Sequence, residues 1–458
     1  MKLVCFALTL VMVLTAFSVA GCRPEPASGR FLAYTIEPAI GDGSVSLNVT
    51  VSFRLPGSKG TRLVLPSDWQ RQKDLYKAIH DLEAISPGVL LLKGDVPSSV
   101  QITFPQGKVV RLRYRVAKDW DGKIDSSSYF RVMLDHSYFQ VSGRNFLVYP
   151  DLAEDEELPI SLEWKALPPH WTAMDSFGGT GTCQWATARL VKLSNGLFAG
   201  GELRTTILMV EGQPAYFATR GQWEFTDSAF GNLAQKILAT ERNFWHDTGI
   251  PSYVISLLPS DDVPGNYGGT ALEDSFALFM SRNAILDFNT KFLLAHEMFH
   301  SWNAGKLGEI RQDTPYWFTE GFTDYYARLL LLRAGLISAE EYARDVNSLY
   351  CEYLSSPDLH VTGKRAREQF YDDPNLQRLA YLRGDLLALR WDQLIQQRSG
   401  GKESLDTAMR GLFQQAKRKE LVLTSPFLGS FFASYVGPDG TRDVQRYIED
   451  GATIPLSK

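Results

Sequence analysis

Two patterns of apolar residues divide this chain. Over residues 31–115, short runs that alternate apolar and polar side chains are separated by turns rich in Gly, Pro and Asp, and the clearest runs are 46–53 and 109–114. Such runs are typical of β-strands that bury one face. After about residue 235, apolar residues recur instead at the spacing of helices. The pattern predicts a β-rich N-terminal part and a largely helical C-terminal part.

The region between the two patterns carries elements of both kinds. Strands are predicted at 146–150, 160–164, 203–209 and 253–258, and helices at 233–245, 338–354, 376–398, 404–419 and 426–435. A capping box from Ser338 to Glu341 opens one helix, and Gly400 ends the longest. We therefore predict a multidomain α+β fold with an N-terminal β-sandwich-like domain (31–170), a mixed core (171–335) and a helical C-terminal domain (336–458).

One predicted helix, with Thr290 as its N-cap, carries the sequence His-Glu-x-x-His at residues 296–300. The helical period places His296 and His300 on one face, where they can bind Zn²⁺ together, and Glu297 lies beside the metal. The alternative is a chance match of two core histidines. Because the chain has only seven histidines, such a match is roughly a one-in-a-hundred event.

The following helix supplies a candidate for the third ligand. It is predicted to begin at Thr314 and Pro315 and to end at Gly335. A third ligand must come from a separate element, because one helix cannot surround a tetrahedral ion. Glu320 fits this role, and Asp324, on the same face, can accept the outer N–H of a ligand histidine. The alternative for the two acids is a solvated acidic stripe, but the aromatic residues around Glu320 favour a buried site.

These residues predict a hydrolytic mechanism. Two neutral imidazoles and one carboxylate leave a bound zinc ion positively charged, with a fourth position for water. The ion lowers the pKa of that water, and Glu297 can take its proton during attack on a peptide carbonyl. The oxyanion needs a further donor, which chemistry alone does not select among the nineteen tyrosines.

Segments 296–303 and 317–326 closely resemble the glycyl aminopeptidase family of zinc metallopeptidases, which belongs to the gluzincins. The resemblance implies a thermolysin-like zinc peptidase core. Residues 381–384, Tyr-Leu-Arg-Gly, resemble the family's Tyr-x-Lys/Arg-Gly helix, which implies that Tyr381 stabilises the oxyanion. The alternative for Tyr381 is an ordinary aromatic residue on a helix.

A further resemblance precedes the zinc helix. Residues 268–275 resemble the family's Gly-Gly-Leu-Glu-His segment, which implies that Glu273 binds the free α-amino group of the substrate. Two residues intrude before Leu272, and Asp274 stands where the family favours His. The alternative for Glu273 is a loop acid on the surface. Many family members continue into a PDZ domain; this sequence stops at Lys458, so we expect no function that depends on one.

The N-terminus predicts export. Lys2 precedes an apolar stretch, and residues 19–22, Val-Ala-Gly-Cys, resemble the bacterial lipobox. We expect a lipoprotein signal peptide (1–21), a lipidated Cys22 and a short tether (22–30). Because residue 23 is Arg and not Asp, an outer-membrane anchor is compatible with this sequence. The alternative is an ordinary signal peptide that is cut nearby. Export would permit a disulfide between Cys183 and Cys351, but two buried thiols are equally consistent with the sequence.

Composition limits the possible functions. The chain has 458 residues, 44% of them hydrophobic, and a net charge of -5 without an extended basic cluster, which argues against nucleic acid as a partner. Three functions compete: a zinc aminopeptidase acting on exported peptides, a zinc endopeptidase with the same site, and a lipid-anchored binding protein without turnover. Glu297 argues against the third, because a binding role needs no general base there. The expected partners are a peptide or protein substrate and the membrane.

Overall fold

The computed structural model describes residues 26, 28–41, 43–70, 72–153, 156–262, 267–308 and 314–455. The predicted signal peptide, Cys22 and most of the tether lie outside these ranges. Within them, no helix combines the length and apolar character that a membrane span requires.

The N-terminal part is built from two packed β-sheets, as the alternating pattern predicted. The six-stranded sheet has the order β14-β11-β1-β2-β7-β4, and the four-stranded sheet has the order β10-β3-β6-β5. The strands of these two sheets are β1 (Phe31–Ile40), β2 (Val45–Arg54), β3 (Gly60–Val64), β4 (Ile79–Ala84), β5 (Leu90–Lys93), β6 (Ser99–Thr103), β7 (Val110–Val116), β10 (Tyr149–Pro150), β11 (Glu157–Trp164) and β14 (Cys183–Arg189). Inward-facing residues from both sheets, among them Leu32, Val49, Leu63 and Ile102, form one core.

A five-stranded sheet with the order β13-β12-β15-β9-β8 follows. It contains β8 (Met133–Asp135), β9 (Tyr138–Ser142), β12 (Thr172–Asp175), β13 (Gly179–Thr180) and β15 (Leu197–Gly201), with two short helices, α1 (Gly143–Phe146) and α2 (Leu190–Ser194), between its strands. The predicted boundary at residue 170 falls inside this sheet. The β-rich region therefore runs on to Gly201, because β15 pairs with β9 and β14 pairs with β11, and both partner strands precede the boundary.

The next sheet is mixed and has the order β16-β17-β18-β20-β19. Its strands are β16 (Arg204–Val210), β17 (Gln213–Thr219), β18 (Tyr253–Ser260), β19 (Tyr267–Leu272) and β20 (Ser275–Ser281). The predicted buried strand is confirmed, since β18 is buried at every position. β19 is the edge strand of this sheet and pairs antiparallel with β20. The backbone groups on its other edge face the helices and could pair with an added strand.

Helices cover and extend this sheet. They are α3 (Asp227–Trp245), α4 (Phe288–Phe299), α5 (Thr323–Arg333), α6 (Ala339–Ser355), α7 (Gly363–Glu368), α8 (Pro374–Ser399), α9 (Leu405–Ala416), α10 (Ser425–Val436) and α11 (Asp439–Asp443). The capping box at Ser338 and the end of α8 at Gly400, which has φ 61°, are confirmed. The predicted N-cap Thr290 is wrong: α4 begins at Phe288, and Asp287 accepts the hydrogen bond from the Thr290 N–H.

The predicted core and helical domains share one hydrophobic interior. Its buried residues extend from Val210 on β16 to Ile454, across the predicted boundary at residue 335. The two cysteines left open by the sequence are not paired with each other, because Cys351 is an exposed free thiol. The alternative of two buried thiols is also wrong, because Cys351 is exposed.

Candidate metal centre

Three side chains from two helical segments converge on one point. The Nε2 atoms of His296 and His300 are 3.0 Å apart, and Glu320 Oε2 lies 3.5 Å and 3.4 Å from them. A tetrahedral ion with bonds of about 2.0–2.1 Å separates its ligands by about 3.3 Å. The predicted ligand set is therefore brought together, and its two imidazoles and one carboxylate are the donors that zinc prefers.

Glu320 is held in place by close contact between two helical segments. It lies in a π-helical turn (Trp317–Phe322) whose aromatic residues are buried. A Cβ atom on Gly321 would lie 2.4 Å from the Cα of Gly384 on α8, and a Cβ on Gly384 would lie 1.7 Å from the Trp317 carbonyl oxygen. Only glycine fits at these two positions, so the turn and α8 approach each other at backbone distance.

Asp324, one turn after Glu320, orients His296. Its Oδ1 is 2.7 Å from His296 Nδ1, which leaves Nε2 free to bind a metal. Burial alone would lower the pKa of His296, but Asp324 and Glu320 raise it well above its ordinary value. Arg378 on α8 lies 3.7 Å from Asp324 Oδ2 and also binds Glu352. Asp324 and Glu320 thus make the site around His296 favourable for positive charge, which suits a bound cation.

His300 is oriented by a residue to which the sequence analysis assigned no role. The backbone carbonyl of Asn303 lies 3.0 Å from His300 Nδ1. The buried Asn303 amide donates to the carbonyls of Phe318 and Thr319 and to the Thr323 hydroxyl. Asn303 thereby links α4 to the segment that carries Glu320. Its place three residues after His300, in an apolar stretch, was the available sequence signal.

Glu297 and Tyr381 border the same point from other sides. Glu297 Oε2 accepts a hydrogen bond of 3.1 Å from the Ala271 N–H on β19. The Tyr381 ring stacks on His296 with a centroid separation of 5.9 Å. Burial, reinforced by the nearby carboxylates of Glu320 and Asp324, raises the pKa of Tyr381 well above its ordinary value, so its hydroxyl remains a donor at neutral pH.

Glu273 lies in the turn between β19 and β20 and is already paired. Its Oε1 is 2.5 Å from Lys192 Nζ, and its N–H donates to the Asn195 carbonyl. The strand position that contacts Glu297 is Ala271, two residues earlier. Glu273, the predicted partner of the substrate amine, is therefore close in sequence to a residue that contacts Glu297. Its carboxylate is already bound by the ammonium group of Lys192.

A buried acid behind the metal centre was missed from the sequence. Glu241 on α3 is 0% exposed, and neither of its carboxylate oxygens has a hydrogen-bond partner within the described residues. Burial raises its pKa well above the ordinary value, and nearby His296 acts in the opposite direction. The signal was an acid on the apolar face of α3, four residues after Ile237.

The segment that carries the three converging side chains is similar in sequence to a known family. Residues 289–367 match the sequence model of the M61 glycyl aminopeptidase family. No curated protein matches this sequence. The fold is similar to that of an aminopeptidase N family protein from Idiomarina loihiensis, with a TM-score of 0.76 and 21% identity over 93% of this chain and 77% of that chain.

Two structures of an M1 zinc metallopeptidase from Deinococcus radiodurans are also similar. One has a TM-score of 0.60 and 16% identity over 94% of this chain and 95% of that chain. The other, a mutant bound to a Tyr-Ser-Ala substrate, has a TM-score of 0.59 and 17% identity over 94% and 95%. The predicted multidomain fold is confirmed, and the family match supports a metallopeptidase.

Proposed function

We propose that this protein is a zinc aminopeptidase that acts on exported peptides. His296, His300 and Glu320 would hold one Zn²⁺, which supplies a Lewis acid that activates water and polarises the scissile carbonyl. The observation that carries the proposal is the convergence of these three side chains at distances of 3.0 to 3.5 Å, with Glu297 and Tyr381 beside them. A binding protein would need the first three groups and neither of the last two.

The remaining groups have defined tasks in peptide hydrolysis. Glu297 takes a proton from the attacking water and gives it to the leaving amine. The Tyr381 hydroxyl donates to the oxygen of the scissile carbonyl as it gains negative charge. Asp324 and the Asn303 carbonyl accept the Nδ1–H of the two histidines and hold both rings in the metal-binding tautomer.

The edge strand β19 offers a template for an extended peptide. Because the Ala271 N–H points to Glu297, it points away from β20. Backbone groups alternate in direction along a strand, so those of Gly269 face the same side. A substrate chain can pair with this edge and present its carbonyl to Glu297. The peptide bound to the similar Deinococcus protein supports this class of substrate.

The choice between aminopeptidase and endopeptidase depends on Glu273. In an aminopeptidase, the substrate ammonium would replace Lys192 as the partner of Glu273. The Lys192–Glu273 ion pair is also the observation that favours the alternative, an endopeptidase in which Glu273 fastens the β19–β20 turn. The two functions differ in whether they require a free N-terminus.

The test uses one peptide in its free and N-acetylated forms with purified protein of measured zinc content. An aminopeptidase removes single residues from the free peptide alone, and a chelator abolishes this cleavage until zinc is restored. Glu273→Gln should then raise the KM for the free peptide at least tenfold, whereas Glu202→Gln, an exposed acid near Arg220, should not. Internal cuts in both peptides would establish the endopeptidase, and bound zinc without cleavage would favour the binding protein.

We further propose that the protein is anchored to the bacterial cell envelope through a lipid on Cys22. The support is the resemblance of residues 19–22 to a lipobox. Mass spectrometry of protein from a bacterial membrane fraction should find an acylated Cys22 as the first residue. Cys22→Ser should move the protein to the soluble fraction, and an unmodified N-terminus at another position would contradict the anchor.

A further inference from the structure

A stack of aromatic rings leads away from the metal centre. The Tyr381 ring lies 5.9 Å from His296 on one side and 6.3 Å from Phe370 on the other, with interplanar angles of 17° and 11°. Phe370 in turn stacks on Tyr316 at 3.7 Å and 8°. A near-parallel row of rings therefore begins on a proposed metal ligand and ends outside the ligand set.

Tyr371 closes this row at its outer end. Its ring meets Phe370 at 5.1 Å and 88° and Tyr316 at 5.8 Å and 84°. Tyr371 is 43% exposed, whereas Phe370 is only 3% exposed. Phe370 is therefore a buried ring against which the others pack, whereas Tyr371 exposes its ring to solvent. We call Tyr316, Phe370, Tyr371 and Tyr381 the aromatic wall.

The aromatic wall lies on the Glu320 side of the metal centre. Tyr316 precedes Glu320 by four residues, a spacing that places two side chains on the same side of a helical segment. Tyr381 lies close enough to Glu320 for that carboxylate to affect its pKa. The edge strand β19 reaches the centre by another route, through Glu297. A peptide along β19 would therefore have the aromatic wall near one of its side chains.

The charged groups around the wall are mostly engaged elsewhere. Arg367 is paired with Glu449, and the buried Arg383 donates to backbone carbonyls, among them those of Leu359 and Val361. Asp373 caps α8. Asp372 is exposed, where solvent and salt screen its charge. The accessible chemistry of the wall is therefore that of tyrosine rings.

We propose that the aromatic wall binds a large apolar or aromatic side chain of the substrate next to the scissile bond. This inference rests on the proposed peptidase function and names the substrate preference of its site. Tyrosine rings gain from burying apolar area and from stacking on aromatic side chains, and neither gain is available to a glycine. The enzyme therefore prefers peptides with Phe or Leu at this position over those with Gly or Ala.

The test compares two peptide series that vary Gly, Ala, Leu, Phe or Arg on either side of the cleaved bond. In one series, wild-type protein should show the highest kcat/KM for Phe and Leu. Tyr371→Ala should reduce the Phe-to-Ala ratio of kcat/KM about three- to tenfold. Trp185→Ala, which removes a 45% exposed ring from β14, is the matched control and should leave the ratio unchanged.

A preference for Gly, Ala or Arg in both series, or an equal loss for all peptides in Tyr371→Ala, would overturn the inference. A second measurement does not require turnover. Phenylalanine hydroxamate should bind the zinc-loaded protein at least threefold more tightly than glycine hydroxamate, and Tyr371→Ala should remove this difference. If phenylalanine hydroxamate binds more tightly but no peptide is cleaved, the proposed function is wrong and the role of the aromatic wall is supported. If peptides are cleaved but the two hydroxamates bind equally, the proposed function is supported and the role of the aromatic wall is wrong.

Discussion

At the scale of single residues, the proposed task of Glu297 as general base can be tested most sharply. Its carboxylate accepts one hydrogen bond, from the Ala271 N–H, and is not among the converging ligand atoms. Glu297→Gln keeps that acceptor but cannot take a proton, so we expect kcat to fall by about 10²- to 10⁴-fold while zinc stays stoichiometrically bound. Metal analysis and peptide cleavage measure the two effects. Turnover within tenfold of wild type would contradict the role of general base.

Asp175, far from the proposed metal ligands in sequence, makes stability depend on pH. Burial raises its pKa to about 6, although Trp164 and the N–H groups of Phe177 and Gly178 act against this shift. Because the folded pKa exceeds the unfolded value, the folded state is favoured below pH 4 and loses this advantage as pH rises to 6. Asp175→Asn removes the dependence. We therefore expect the unfolding temperature of the variant relative to wild type to increase between pH 4 and 6, by the equivalent of up to about 3 kcal/mol.

A constant difference between the two proteins across that pH range would show that Asp175 titrates normally. Asp151→Asn is a suitable control, because Asp151 pairs with Arg62 at the surface, where both side chains are more than 40% exposed. Its effect should be small at every pH, since exposed ion pairs contribute little.

The residues that could be predicted from the sequence are those whose spacing reflects one helix. His296 and His300 follow from the helical period alone, and Asp324 follows from its place four residues after Glu320. The residues that could not be predicted have partners that only the fold brings close. The pairing of Glu273 with Lys192, 81 positions earlier, and the approach of the Ala271 N–H to Glu297 depend on how β19 and α2 are placed.

At the scale of elements, Asn303 connects the two segments that carry the proposed ligands. Its side-chain amide donates a hydrogen bond to the segment that carries Glu320, and its backbone carbonyl contacts His300 Nδ1. Asn303→Ala should therefore weaken zinc binding about 10- to 100-fold, the usual cost of losing a group that orients ligands. Competition with a chelator measures this affinity. Asn243→Ala, on the exposed face of α3, serves as the control, and equal affinities for both variants would refute the link.

The contact between Gly321 and Gly384 determines how closely α8 approaches Glu320. Gly384→Ala would place a methyl carbon 1.7 Å from the Trp317 carbonyl oxygen, so the segments must separate. We expect the unfolding temperature to fall by at least 5 °C, which for a domain of this size corresponds to about 2 kcal/mol. The methyl carbon of Gly231→Ala in α3 comes closest to the flexible end of Leu208, at 3.3 Å, and this change should have little effect. Comparable losses for both variants would show that helix packing is not responsible.

Element boundaries were less predictable than element types. α6, α8 and α10 lie where the apolar periodicity placed them. The start of α4 was predicted three residues too late, because Asp287 and Thr290 are both residue types that can cap a helix. The hydrogen bond that decides between them depends on the approach of the preceding chain from β20, which periodicity does not encode.

At the scale of the whole molecule, the regions before and after residue 204 are joined by a shared cluster. Tyr129 stacks on Phe279 of β20 at 4.2 Å and 4°, and Gln140 on β9 accepts from Ser256 on β18. Apolar residues from both regions pack around these contacts. The boundary at 170 was misplaced because the strands on either side of it look alike in sequence, and only pairing assigns them to one sheet.

Removal of zinc should test how far this coupling extends. The proposed ligands all lie in segments whose apolar residues belong to the core that runs from Val210 to Ile454, whereas the N-terminal sandwich has a separate interior. If free zinc stands at 1,000 times its dissociation constant, binding stabilises the core by about 4 kcal/mol. Chelation should then lower the unfolding temperature of the core by roughly 10 °C and that of the sandwich by much less, in a calorimetric scan.

The control for this scan is His300→Ala, whose transitions should be the same with and without chelator. Equal shifts of both transitions in wild type would mean that the cluster around Tyr129 and Phe279 couples the two interiors into one cooperative unit. Tyr129→Ala should then separate them, because it removes the ring that stacks on Phe279 of β20 and lies against Gly268 of the edge strand β19. The absence of any shift would instead contradict the metal centre itself, since a ligand that binds only the folded state must stabilise it.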